Sequence, residues 1–141
     1  MTAIKTMMER QGSSRGTAPV WALCLVDAAL LVTSGVIHLH FWQIAYRNVH
    51  ILGPLFLVQL IAAFVLALAL VVTRHVLVVL AALGLMAGTI IGFILVRTGS
   101  LFGFHLGFTS SLAAFVLVAE IAAVLLLAAT ALVMLRPRAV R

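Results

Sequence analysis

Apolar residues form four long runs along this chain, at about 20–39, 54–72, 76–97 and 109–134. Each run has about the 20 residues that an α-helix needs to cross about 30 Å of hydrocarbon at 1.5 Å per residue. Because lipid offers the backbone no hydrogen-bond partners, such spanning segments have to be helical. The pattern predicts an all-α integral membrane protein, a bundle of four transmembrane helices that forms one domain at 19–135.

Polar tails at 1–18 and 136–141 flank this domain, and four crossings place both tails on the same side of the membrane. Seven basic residues then share that side, and only Arg47 and Arg97 lie on the other. The seven are Lys5, Arg10, Arg15, Arg74, Arg136, Arg138 and Arg141. Since cytoplasmic loops carry the excess of Lys and Arg, we expect cytoplasmic termini and an outer face near Arg47 and Arg97.

Composition supports lipid as the solvent, because only 9% of the residues are charged and 65% are hydrophobic. A soluble domain of this size needs far more charge to cover its surface. The net charge of +6 does not indicate nucleic acid, since the basic residues lie at the edges of apolar runs. The single cysteine, Cys24, excludes an internal disulfide and a cysteine-built metal site.

The connection between the first two spans has an amphipathic pattern. Apolar residues recur at helical spacing, namely Phe41, Trp42, Ala45, Val49 and Leu52. Polar residues fall on the opposite side, namely His40, Gln43, Arg47 and His50. We therefore expect a separate amphipathic helix on the outer surface, with Trp42 and Tyr46 at headgroup level and Gly53-Pro54 turning the chain into the second span.

The other two connections differ in length. Thr73-Arg74-His75 is so short that the second and third spans have to be antiparallel neighbours. The segment 97–108 alternates glycine with aromatic residues, and we expect it to fold back over the outer end of the bundle.

Span three carries Gly84, Gly88 and Gly92, one helical turn apart. Small residues at this spacing let another helix approach closely in lipid. The row indicates helix packing, either inside the bundle against the alanine-rich fourth span or at an interface with a second copy or another membrane protein.

Two carboxylic acids, Asp27 and Glu120, lie inside spans, and counting from the span ends places both near mid-membrane at similar depth. A charged carboxylate there is costly, so we expect each to be neutral, hydrogen-bonded or paired with a cation or a partner protein. Ser34 and His38 share a helix face with Asp27, and Gln59 lies in span two. These groups form either a proton or ion path or simply interhelical hydrogen bonds.

Four of the five histidines, His38, His40, His50 and His105, map to the outer side. His38, His50 and His105 are candidate ligands of a metal ion. A b-type haem would need two histidines from different helices, such as His38 and His105, with Arg47 or Arg97 near the propionates. Quinone binding and simple placement among lipid headgroups are the alternatives.

The pattern His38-Leu39-His40-Phe41-Trp42, then Tyr46-Arg47, then the run 51–59, resembles a group of small four-span bacterial membrane proteins. The overall plan resembles the DoxX-like membrane families. The likeness covers mainly the first two spans and implies a bacterial inner membrane. It implies no catalytic residue.

Three functional hypotheses follow. The first is a non-catalytic accessory or scaffolding subunit of a membrane complex, which would dock through span three and the outer loops. The second is an outer-face redox protein that binds haem, a metal ion or a quinone. The third is a small proton-coupled cation exchanger with Asp27 as its coupled acid. We find no pair of nucleophile and base in the sequence and no phosphate-binding glycine loop. Soluble-type enzyme chemistry is therefore not favoured.

Overall fold

The computed structural model describes residues 18–99 and 111–136, and within these ranges the chain is helical with no strand. Four long helices follow one another, each long and apolar enough to cross a membrane. They are α1 (Ala18–Phe41), α2 (Leu52–Thr73), α3 (Val76–Arg97) and α4 (Ser111–Leu135). The four-span, all-α bundle predicted from the sequence is confirmed, and the start of α4 and the ends of α1 and α2 lie within two residues of the predicted bounds.

Each helix packs on two neighbours, in the cyclic order α1, α2, α3, α4. Buried positions recur every three or four residues, a spacing typical of antiparallel bundles with knobs-into-holes packing. Along α1 these positions are Cys24, Asp27, Ala28, Leu31, Ser34, Gly35 and His38. Along α4 they are Val116, Glu120, Ala123, Leu127, Thr130 and Ala131.

The outer surface of the bundle is strongly apolar. Leu68, Leu77 and Leu125 are each about two-thirds exposed, at 67%, 66% and 66%. Soluble monomers do not cover themselves with large exposed aliphatic residues on every side, whereas lipid-facing helices do. The chain therefore belongs to the class of multi-pass membrane proteins.

The two-residue connection between α2 and α3 is built as a tight cap. Arg74 takes the left-handed conformation, with φ of 48°, and its N–H donates to the carbonyl of Leu70 at 3.0 Å. His75 is extended, and its Nδ1 accepts a hydrogen bond from the N–H of Leu77 at 3.2 Å. The end of α2 and the start of α3 thus each have a capping hydrogen bond. The predicted antiparallel pairing of these spans is confirmed.

The prediction of a separate surface helix after span one is wrong. The chain instead continues directly from α1 into a π-helical segment, Trp42–Tyr46, and turns within a few residues into α2. His40, Gln43, Arg47 and His50 are exposed as their pattern predicted. Tyr46, however, is buried within the bundle. We call this end of the bundle, which holds Arg47 and Arg97, the distal end.

Gly53 allows the tight turn at the distal end. A Cβ at this position would lie 2.7 Å from the carbonyl oxygen of Tyr46 and 3.1 Å from that of Arg47. The N–H of Gly53 also donates to the carbonyl of Val49 at 2.9 Å. Only glycine fits where two backbone segments meet this closely.

Gly53→Ala should therefore lower the unfolding free energy by about 1–3 kcal/mol, as for other overpacked sites. Gly84→Ala is the matched control, because a Cβ there meets nothing within 4 Å among the described residues. It should leave stability unchanged or raise it by up to about 1 kcal/mol. Denaturant titration in mixed micelles measures both, and equal effects of the two substitutions would contradict this account of the turn.

Candidate functional site

A cavity of about 410 Å³ lies in the distal half of the bundle. Small-molecule sites in proteins fall in this size range and are mostly apolar with a few polar groups. All four helices contribute to its wall, which is mainly aliphatic and aromatic. The lining residues that carry polar side-chain groups are His38, Tyr46, Gln59, Thr89, Arg97 and Glu120.

Four of these polar residues form a layer with one member from each helix. His38 comes from α1, Gln59 from α2, Thr89 from α3 and Glu120 from α4. This polar layer separates two apolar clusters. One contains Leu31, Leu70 and Leu127 and fills the half near the termini, and the other contains Tyr46, Leu52 and Val96 at the distal end.

The hydrogen bonding of His38 fixes which ring nitrogen carries a proton. Nδ1 lies 2.8 Å from the carbonyl oxygen of Ser34, one turn earlier on the same helix. A carbonyl oxygen can only accept, so Nδ1 is the donor. In the neutral ring Nε2 then presents a lone pair, and this nitrogen is the one directed toward Glu120.

Glu120 is 3% exposed, yet its Oε1 has no hydrogen-bond partner among the described residues. The distance from Oε1 to Nε2 of His38 is 3.9 Å, too long for a hydrogen bond. Nε2 of Gln59 is likewise buried without a partner in the described part of the chain. Two residues lining one cavity thus keep unused hydrogen-bonding capacity.

Aromatic side chains line the distal wall. Phe56 stacks on Tyr46 with ring centroids 4.5 Å apart and tilts against His38 at 5.2 Å. Phe41 lies 6.5 Å from Tyr46. Such contacts fix the orientation of the His38 ring.

The glycine row of α3 also lines this cavity. A Cβ built at Gly84, Gly88 or Gly92 meets nothing within 4 Å in the described ranges. The close contact with α4 that the spacing indicated is therefore not found among these residues. Association with a second copy or another protein stays a prediction.

Asp27 belongs to a second polar contact, apart from the cavity. Thr130 donates from Oγ1 to Oδ2 of Asp27 at 2.6 Å, and both side chains are fully buried. Thr130 and Glu120 are ten residues apart on α4, about 15 Å along the axis. The expectation that Asp27 and Glu120 lie at similar depth is wrong, because α1 and α4 meet in a register that places His38 opposite Glu120.

The predicted metal-site and haem-site residues are only partly brought together. His50 is exposed and does not line the cavity, and Arg47 lies over the Trp42 ring at 5.8 Å. His38 and Arg97 do line it. Within residues 18–99 and 111–136 no three His, Cys, Asp or Glu side chains are grouped to hold a metal ion. His105 and most of the segment 97–108 lie outside the described residues.

The predicted face of Asp27, Ser34 and His38 is confirmed, since all three are buried. Thr130 was not among the residues predicted from the sequence. The spacing of polar residues on the two helices could have indicated Thr130. Asp27 precedes His38 by eleven residues on α1, and Glu120 precedes Thr130 by ten on α4. If two antiparallel helices bring His38 to Glu120, they also bring Asp27 to Thr130.

The fold and cavity define an all-α, four-helix multi-pass membrane protein. No family model matches the sequence, and neither a curated protein nor a solved structure is detectably similar to it.

Thr130→Val should destabilise the bundle by about 1–3 kcal/mol, because it leaves a buried Asp27 without its donor. Thr33→Val is the matched control, since Thr33 is exposed and bonds only to the Ala29 carbonyl of its own helix. Unfolding midpoints in the same micelles compare the two. A Thr33→Val effect as large as that of Thr130→Val would argue against a stabilising Asp27–Thr130 contact.

Nitrogen NMR of ring-labelled histidines should find opposite neutral tautomers for His38 and His75. His38 donates from Nδ1, whereas Nδ1 of His75 accepts from the Leu77 N–H, so its proton lies on Nε2. The shift of the protonated nitrogen identifies each tautomer. Finding the proton of His38 on Nε2 would refute the assigned geometry of the polar layer.

Proposed function

We propose that this protein binds a small lipophilic molecule with a hydroxyl or carbonyl group, of the quinone and quinol type, inside its bundle. The membrane is the inner membrane of a bacterium, and both termini are cytoplasmic. One observation carries the proposal: Oε1 of Glu120 and Nε2 of Gln59 are buried without partners and belong to residues that line the same cavity.

The surroundings of the two polar contacts favour a ligand at one of them. Thr130 donates to Oδ2 of Asp27 at 2.6 Å, and although Oδ1 of Asp27 is also buried without a partner among the described residues, neither residue lines the cavity. His38 and Glu120 are held 3.9 Å apart beside open space. Leaving each buried group unsatisfied costs about 1–3 kcal/mol, which a bound polar group would recover.

The donors and acceptors of the layer define the ligand chemistry. Nε2 of His38 accepts, the Gln59 amide donates, and the carboxyl of Glu120 does either according to its protonation. A molecule with a hydroxyl and a carbonyl matches this set. The aromatic wall of Phe56 and Tyr46 suits the flat face of a ring.

The exposed glycine row also supports a second candidate function, that of a non-catalytic accessory subunit. Gly84 and Gly88 are exposed, and a helix of another membrane protein, or of a second copy, can pack closely on small residues. A monomer without co-purifying protein after gentle-detergent extraction would contradict this candidate.

Organic extraction of the purified protein, followed by mass spectrometry, tests ligand binding. The wild type should retain a lipophilic molecule of the stated class, and Gln59→Leu should retain about tenfold less, since one lost hydrogen bond is worth about 1.4 kcal/mol. Gln43→Leu is the matched control, because Gln43 is exposed and outside the cavity.

Glu120→Leu provides a second disruption of the same layer and should lower retention at least as much. Size-exclusion elution and helical circular dichroism verify that each variant is folded. Recovery of no such molecule from the wild type, or equal recovery from Gln59→Leu and Gln43→Leu, would refute the proposal.

A further inference from the structure

The cavity is both deeply enclosed and open at one side. Its polar end is closed, since Glu120 is 3% exposed and His38 is 7% exposed. Yet Gly84 and Gly88, on the same cavity wall, are exposed at the bundle surface. The space therefore runs from the lipid-facing surface to the polar layer.

The opening lies between α2 and α3. Leu55 of α2 also lines the cavity and is 47% exposed. The two helices close again above and below, because Leu70 and Val79 are buried at one end and Leu52 and Val96 pack in one cluster at the other. The gap is thus a window in the middle of two spans, at the depth of the hydrocarbon.

The wall on the other side of α2 is closed. The Phe64 ring lies 3.1 Å from where a Cβ of Gly35 would be, and Ala63 is fully buried against α1. The gap between α1 and α2 is therefore closed at this level, whereas the gap on the α3 side of α2, along the glycines, is open.

The cavity is long as well as narrow. Along α3 its lining extends from Gly84 to Arg97, thirteen residues or about 20 Å. The polar residue of this helix, Thr89, lies between these ends. A compact ring fills only part of such a length, whereas a ring with an apolar chain fills the groove beside the glycines as well.

We infer that the ligand is a chain-bearing membrane lipid of the quinone type that enters from the bilayer between α2 and α3. Its ring lies at the polar layer of His38, Gln59 and Glu120, and its chain leaves over Gly84 and Gly88. This inference rests on the proposed function, because it assigns a route and a chain to the same ligand.

Two probes and two substitutions that block the window test the inference in nanodiscs. The probes are a benzoquinone with a decyl chain and the same benzoquinone without it. Wild-type protein should bind the chain-bearing probe at least tenfold more tightly, with affinities expressed per lipid. Gly84→Phe should weaken that probe about tenfold and leave the chainless one unchanged, because position 84 lies five residues from Thr89.

Ile94→Phe is the matched control, since Ile94 is 50% exposed and does not line the cavity. It should change neither affinity, and Gly84→Leu repeats the block with a smaller side chain. If Gly84→Phe and Gly84→Leu leave the chain-bearing probe unaffected, or weaken both probes equally, the inference fails while the proposed function stands. If the wild type binds neither probe, both are overturned.

Discussion

Polar side chains inside a membrane-spanning bundle cannot hydrogen-bond to water at the lipid-facing surface. They therefore bond to each other or to a molecule bound inside the bundle. The interface between α1 and α4 is arranged around this constraint. It carries Asp27 with Thr130 at one level and His38 with Glu120 at another. Because both pairs lie in one register, sliding α4 by a turn would break the Asp27–Thr130 hydrogen bond and move Glu120 away from His38. The register of α1 against α4 thus depends on the Asp27–Thr130 bond.

The two contacts have different surroundings, and the difference lies in α3. Near the termini, Val79, Ala82 and Met86 are fully buried and pack with Leu31 and Leu127. In this tightly packed half, Thr130 donates a hydrogen bond to Asp27. Farther from the termini, the side of α3 that faces the cavity carries glycines instead of large side chains. Space then opens beside His38 and Glu120, whose side chains lie 3.9 Å apart.

The sequence predicted the spans well because bilayer thickness sets helix length directly. It also predicted the shared face of Asp27, Ser34 and His38, which follows from helical periodicity alone. It failed where two elements meet. Depth counted from span ends placed Asp27 level with Glu120, whereas depth is set by the partner helix. The amphipathic pattern after Phe41 fits a surface helix and a continued span equally, and the structure shows the helix continuing from Phe41 directly into Trp42–Tyr46.

The role of glycine shows why spacing alone could not find the cavity. A row of small residues permits close helix packing, but it produces such packing only where a neighbouring helix moves in. In this bundle α2 leans toward α1, where Gly35 admits the Phe64 ring and Phe56 packs on His38 and Tyr46. With α2 drawn to that side, the glycines of α3 are left uncovered. The close helix approach is made at the isolated Gly35, and the row of three glycines in α3 forms part of the wall of the cavity.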